Sequence, residues 1–258
     1  MTQTYQNHMV VLTGAGSGLG RALAINLCRN GVRVAGFGRR KSALLETANE
    51  AGKLFIPIAT DVSDPAQVAS AFQQVRAISP VTHLINNAAV YPHRDIFAET
   101  AFTFMETINT NLGGMVACTR EALTDMGSVG RGSIVNVSSF ADVLPAQCGA
   151  AYSVSKGACT IFSRALVADL SDRLPGIIVT TWMPGILATD MGIPEGMDPK
   201  IAARWGAALA LWNDRTLNGA VFEMDREILA PQGFKRRLKN LILAKSQKPR
   251  RISLTTSD

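Results

Sequence analysis

The chain has no uncharged apolar run approaching the roughly 18 residues that a membrane-spanning helix needs. Its opening residues, Met1 to His8, hold no basic stretch followed by an apolar one. A secretory leader is therefore not expected, and the cytoplasm is the default compartment. Cysteine is sparse. Cys28, Cys118, Cys148 and Cys159 lack metal-ligand spacing and three fall in apolar helical stretches, so reduced structural thiols and no metal site are expected. No segment repeats at a fixed period, and no linker interrupts the chain. Of the net charge of +6, the part from Ala230 onward carries +7 and the other 229 residues carry −1. The basic character thus belongs to a tail, which argues against a nucleic-acid-binding domain.

What is present is an alternation of apolar strand-like runs and amphipathic helical stretches. It predicts a parallel sheet covered by helices: an α/β, doubly wound, Rossmann-type single domain of about seven strands over residues 1–229. Strands are expected at His8–Thr13, Arg33–Gly38, Leu54–Ala59, His83–Asn87, Ser133–Ser138, Ile177–Trp182 and Ala220–Met224. Helices are expected at Gly18–Asn30, Lys41–Ala51 and Pro65–Ile78, after the fourth strand through Asp125, and at Ala151–Leu174. Ligands of such sheets bind beyond the carboxyl ends of the strands.

Two patterns carry chemistry. After the first strand, Thr13-Gly-Ala-Gly-Ser-Gly-Leu-Gly20 lacks the Gly-Lys-Ser/Thr ending of a P-loop, and the third glycine of Gly-x-Gly-x-x-Gly would fall on Leu19. Gly14, Gly18 and Gly20 instead permit a tight turn that brings a helix N-terminus close to a pyrophosphate. The second strand ends in Gly38-Arg39-Arg40, where a site preferring NAD places an acidic residue. The Arg39 guanidinium suits a 2′-phosphate, so NADP(H) is expected over NAD(H). Arg40 either shares that phosphate or is a solvated charge flanking a helix. The second pattern is Tyr152-Ser-Val-Ser-Lys156, a phenol and an ammonium on one helix face. A free phenol has a pKa of about 10, and a neighbouring cation favours the phenolate, bringing the group toward useful acid–base chemistry.

With these motifs in place the sequence resembles the short-chain dehydrogenase/reductase family, from about residue 8 to 191 and more weakly to about 225. The Thr13–Gly20 segment, with Ser17, Gly18, Leu19 and Gly20, resembles the family's cofactor turn. Asp61-Val62 matches the pair flanking the adenine. Asn86-Asn87-Ala88-Ala89 resembles its Asn-Asn-Ala-Gly segment, with Ala89 in place of glycine. Pro184-Gly185-Ile-Leu187-Ala-Thr189 resembles the segment that approaches the nicotinamide. The resemblance implies that Asn111, Ser139, Tyr152 and Lys156 are the catalytic residues of a hydride-transferring oxidoreductase. In that scheme Tyr152 moves the proton, Ser139 holds the carbonyl oxygen, and Lys156 acts on Tyr152 and the ribose. Asn111 holds a water leading to solvent. A homodimer or homotetramer is also implied. If the family glycine needs positive φ, Ala89 would disturb cofactor contact.

The crevice loops Val90–His93, Val143–Ala146, Cys148 and Leu187–Pro199 are mostly apolar, so a small-molecule carbonyl or alcohol of hydrophobic character is the expected substrate. They could equally do no more than close over the nicotinamide. His93 reads as a solvent-facing loop residue. A non-catalytic NADP(H)-binding or sensor protein, acting through its tail, is the rival class. In the extension 230–258, Phe234, Leu238, Leu241 and Ile242 recur at helical spacing among basic residues. Such a stripe either packs on protein or makes peripheral contact with an anionic membrane. The last part, Lys248–Asp258, reads as an unanchored end.

Overall fold

The computed structural model describes residues 8–229 and 248–254. The amphipathic stripe at 234–242 lies outside the described residues.

Eight strands form one sheet: β1 (Met9–Thr13), β2 (Arg33–Gly38), β3 (Phe55–Ala59), β4 (His83–Asn86), β5 (Gly132–Val137), β6 (Ile177–Met183), β7 (Val221–Glu223) and β8 (Arg226–Ile228). Their spatial order is β3-β2-β1-β4-β5-β6-β7-β8. The first seven run parallel, and β8 turns back antiparallel on β7. The helices are α1 (Gly18–Arg29), α2 (Lys41–Ala51), α3 (Pro65–Arg76), α4 (Ala101–Ile108), α5 (Gly114–Val129), α6 (Ala150–Leu170) and α7 (Pro199–Leu211).

The unbroken apolar character of β1 follows from burial on both faces. Val10 and Leu12 enter a core shared with α1 and α7, while Met9 and Val11 enter one shared with α3, α5 and α6. Helix starts follow local chemistry: Asp64 accepts from the amides of Ala66 and Gln67, with Pro65 beginning α3, and Thr100 forms a capping box with Thr103. Buried thiols follow the same logic. Burial pushes Cys28 and Cys118 up to about 12, so they stay protonated and inert. No helix among the described residues is long and apolar enough to cross a membrane.

The sheet corrects the expected strand count: among the described residues it has eight strands, not about seven. The extra one, β8, is reached through a turn in which Met224 takes φ 48. A glycine or asparagine normally announces such a turn, and methionine gives no such signal. Two bonds hold it there: Trp182 Nε1 donates to the Met224 carbonyl (2.9 Å), and the Met224 N–H donates to the Met183 carbonyl (2.8 Å). The helix α7 also had no counterpart in the expected elements. Its inward face is mostly alanine, with Ala202, Ala203, Ala207 and Ala210 fully enclosed, and Asp198 and Pro199 mark its start. Helix α6 stops at Leu170, short of the expected Leu174.

The expectation of an unanchored end is overturned for residues 248–254. Arg250 grips the Glu227 carboxylate through Nη2 (2.6 Å) and Nε (2.8 Å), and its own N–H adds a third bond (3.0 Å). Glu227 returns its N–H to the Arg250 carbonyl (2.9 Å), Ile252 donates to the Asp225 carbonyl (2.7 Å), and the Ile252 side chain is buried in the core beside α1 and α7. The hydrogen bond from Arg250 holds the Glu227 carboxyl below its usual range. Residues 255–258 lie outside the described residues.

Candidate active site

The strand order reverses between β1 and β4, so a crevice opens beyond their carboxyl ends. The turn after β1 and the segment after β4 emerge there side by side. Thr13 Oγ1 accepts the N–H groups of Asn87 and Ala88 (both 2.9 Å), and Asn87 Nδ2 donates to the Thr13 carbonyl (2.9 Å). Gly14 has φ +70, and a Cβ there would lie 2.9 Å from both Ala88 Cα and Asn87 Nδ2. At Gly20 a Cβ would sit 2.0 Å from the Gly14 carbonyl oxygen. Both positions therefore need glycine for a physical reason: the backbones touch.

Beneath the turn, Arg21 donates to the Gly16 carbonyl (2.8 Å) and pairs with Glu46 (2.6 Å), while Thr47 Oγ1 donates to the Ala15 carbonyl (3.0 Å). This brace was not foreseen. Its one sequence signal is an arginine in the first turn of a helix, where the dipole disfavours positive charge.

Ser17 holds the cap position of α1, but its side chain makes no bond to the helix, leaving the first amides open. Leu19 points into the core, so only its backbone belongs to the turn. Ala89 keeps φ out of the left-handed region, which removes the steric concern about its side chain. Arg39 and Asp61 line a cleft of about 670 Å³ together with Ala89, Val90 and Tyr91. Arg40 starts α2 with its backbone and is not part of that lining. Asp61 accepts from the Ser63 N–H (2.9 Å) and hydroxyl (2.7 Å), and Val62 is buried beneath it. Across the crevice, Pro184 and Leu187 are buried, Gly185 has φ +89, and Thr189 approaches Gly18, whose Cβ would lie 3.2 Å from Thr189 Cγ2.

The four residues assigned to catalysis by resemblance come from three elements. Ser139 follows β5 and caps a short 3₁₀ turn; its Oγ accepts the Ala141 N–H (3.2 Å), which leaves the hydroxyl proton free to donate. Tyr152 is half-buried on α6. Lys156, one turn on, is buried, donates to the Val137 carbonyl (2.9 Å) and lies 5.8 Å from the Tyr152 ring centroid. Asn111 sits in a single π-helical turn, Asn109–Gly113, between α4 and α5. Such turns recur at functional sites.

The Asn111 side chain is fully engaged as a donor: Nδ2 donates to the Val90 carbonyl (3.0 Å) and to Ser155 Oγ (2.9 Å), and Oδ1 accepts the Val90 N–H (2.7 Å). It thus braces the 90–94 loop against α6. Its backbone carbonyl accepts from Cys159 Sγ (3.4 Å). Tyr91, in that loop, stacks on Tyr152 with centroids 4.4 Å apart, and His93 packs on Tyr91 at 4.0 Å. His93 is exposed, as expected of a loop residue in contact with solvent. Burial, together with Tyr152 and Cys148, pushes the Tyr91 phenol above its ordinary value.

The cradle fits a dinucleotide. Its glycines leave the turn with no Cβ to obstruct a pyrophosphate, the first amides of α1 carry no side-chain cap, and Arg39 and Asp61 line the cleft just beyond the ends of β2 and β3. Among the described residues no group of three or more His, Cys, Asp or Glu could hold a metal ion.

Comparison with known proteins agrees with this geometry. The family model described as short chain dehydrogenase matches residues 8–199. The chain is similar to galactitol 2-dehydrogenase (L-tagatose-forming) of Cereibacter sphaeroides, with 30% identity over 197 residues, covering 75% of this chain and 77% of that protein. It is also similar to 2-(S)-hydroxypropyl-CoM dehydrogenase 3 of Xanthobacter autotrophicus (29% over 215 residues; 79% and 82%). L-xylulose reductase of Caenorhabditis elegans shares 30% over 201 residues (76% and 78%).

Proposed function

The chain belongs to the short chain dehydrogenase family, nicotinamide-dependent oxidoreductases acting between alcohols and ketones, and from that premise we propose that it is an NADP(H)-dependent reductase of hydrophobic ketones. The observation that supports the cofactor preference is Arg39, which lines the cleft at the close of β2, where the adenosine would lie. Its planar fork suits a 2′-phosphate. Gly14, Ser17, Gly18 and Gly20 would hold the pyrophosphate, Asp61 and Val62 the adenine, Asn87 to Ala89 the adjoining ribose, and Pro184 to Thr189 the nicotinamide carboxamide. When bound, the nicotinamide supplies the hydride.

The remaining work falls to side chains. Ser139 has a hydroxyl proton to give to the carbonyl oxygen, steadying the charge that develops there. Tyr152 Oη donates the proton that turns that oxygen into a hydroxyl. Lys156 sets its Nζ 5.8 Å from the centre of the phenol ring and, with one bond spent on the Val137 carbonyl, has donors left for a ribose. Asn111 acts through position, holding α6 and the 90–94 loop in one frame. Its backbone carbonyl and remaining Oδ1 lone pair are the places for a water on the proton path.

A hydrophobic substrate is supported by the rim. Leu144 is 79% exposed, Val143 74% and Ile186 66%, apolar area that water disfavours unless a ligand covers it. The exposed apolar residues of α4 and α6, including Phe102, Met105, Val154 and Ile161, support a homo-oligomer. The test is oxidation of NADPH against NADH over a panel of ketones, quinones and 3-oxoacyl thioesters. The reading expects NADPH-dependent turnover of an apolar ketone. Preference for NADH, or for a strongly polar substrate alone, contradicts it.

A further inference from the structure

Tyr91 has not been assigned a task, yet it touches the phenol that is proposed to move the proton. The two rings are nearly parallel, 22° apart, with centroids separated by 4.4 Å. Carbon atoms in contact sit at about 3.5–4.0 Å, so nothing passes between these rings. A carbonyl oxygen must nevertheless come within about 3 Å of Tyr152 Oη to receive its proton. Whatever is attached to that carbonyl on the Tyr91 side meets the edge of an aromatic ring.

The position of this ring is set by independent contacts. Val90, just before it, is held by Asn111 through both its N–H (2.7 Å) and its carbonyl (3.0 Å). Arg94, just after it, donates its N–H to the Cys148 carbonyl (3.0 Å), which ties the loop to the start of α6. Cys148 takes φ 56 there, a conformation few residues with side chains adopt. The next residue, Gly149, leaves room for the phenol: a Cβ at that position would lie 2.9 Å from Tyr91 Oη and 3.2 Å from Cε2. His93 backs the ring at 4.0 Å. Loop, helix start and glycine are thus matched to one aromatic side chain.

We propose that Tyr91 is a specificity-determining residue, a fixed aromatic wall beside Tyr152 that limits the smaller substituent of the ketone. Methyl ketones and others with one slim substituent are accepted, and ketones bulky on both sides are refused. The larger substituent is left to the exposed apolar rim of Val143, Leu144, Ile186 and Ile193. Burial raises the Tyr91 phenol further above its ordinary value, so the wall is neutral, as an apolar neighbour requires. This inference rests on the reductase reading above.

Methyl octyl ketone and its isomer butyl pentyl ketone contain the same atoms; the first is slim on one side of the carbonyl and the second is bulky on both. Their kcat/KM values are compared in the wild type, Tyr91→Ala and Tyr91→Phe. Their equilibrium affinities are measured by calorimetry in Tyr152→Phe saturated with NADP(H), with and without Tyr91→Ala. The wild type is expected to prefer the methyl ketone. Tyr91→Ala raises the butyl-to-methyl ratio at least about tenfold, in turnover and in affinity, the scale on which a pocket discriminates a few methylenes. Tyr91→Phe leaves the ratio within about twofold, since the ring remains. Should Tyr91→Ala fail to fold, Tyr91→Leu makes the same comparison with a smaller opening. A ratio unchanged by Tyr91→Ala, or a parallel loss for both ketones, overturns the proposal while leaving the reductase reading intact. No turnover of either ketone by the wild type and no binding of either by loaded Tyr152→Phe overturns both.

Discussion

The two lips of the crevice are built on opposite principles. On the cofactor lip, the turn after β1 is locked by backbone: Gly14 and Gly20 touch neighbouring main chain, Thr13 and Asn87 stitch it to β4, and Arg21 and Thr47 brace it from below. On the other lip, proposed to meet the substrate, Val143, Leu144, Ile186 and Ile193 stand out as exposed apolar side chains with little to confine them. A pyrophosphate offers the same charge and shape every time, so a rigid cradle of amides suits it. An apolar substituent is recognised by area and shape alone, which side chains on loops supply and loops can vary.

The sharpest way to break this contrast is Gly20→Val. Its Cβ would meet the Gly14 carbonyl oxygen at 2.0 Å, a backbone atom that cannot step aside. We expect loss of cofactor binding and a destabilisation of about 3 kcal/mol, read as a Tm drop of about 6–12 °C. Unchanged NADPH affinity would show that the turn is not a rigid cradle. Arg39→Ala touches the same lip without disturbing its backbone. The kcat/KM preference for NADPH over NADH should fall about tenfold to a hundredfold, the loss of one charge-assisted contact, with Tm unchanged.

Across the crevice, Arg250→Ala tests the strap behind the Met224 turn. Glu227 would lose both guanidinium bonds and keep only the N–H of residue 250, at a cost of about 1–2 kcal/mol at neutral pH. The Glu227 carboxyl is held below its ordinary 4.5 in the folded chain, so its contribution is complete above that pH and is lost as pH falls through the lower folded value. The Tm gap between wild type and Arg250→Ala should therefore close on acidification; a gap independent of pH would assign the effect to packing. Leu144→Ser carries the smallest effect. KM for an apolar ketone rises about threefold, and stability stays within about 0.5 kcal/mol because the side chain is exposed.

The same contrast explains what could be read from the sequence. The parallel sheet, the glycine turn and the Tyr152/Lys156 pair each depend on local spacing, strict alternation or a residue type with no substitute, and such features survive in a linear string. The eighth strand did not, because Met224 makes its turn where glycine would have signalled it, and tertiary bonds from Trp182 and Met183 hold it there. Helix α7 differs: its apolar face recurs at helical spacing and Asp198-Pro199 mark its start, so that element was legible in the string. The docking of Arg250 on Glu227 and of Tyr91 on Tyr152 joins residues 23 and 61 positions apart. Neither pairing leaves a pattern along the chain. The second role of Asn111, bracing the substrate loop, shows only once α6 and that loop are seen together.

The central claim is that Tyr152 moves the proton in a ketone reductase, and the most direct measurement is NADPH turnover by Tyr152→Phe beside its NADPH affinity. The account predicts a kcat lower by about a thousandfold, the scale of a lost general acid, with cofactor affinity unchanged. Turnover retained in Tyr152→Phe, or a wild type that binds NADPH yet reduces nothing, would contradict it and favour a cofactor-binding protein without catalysis.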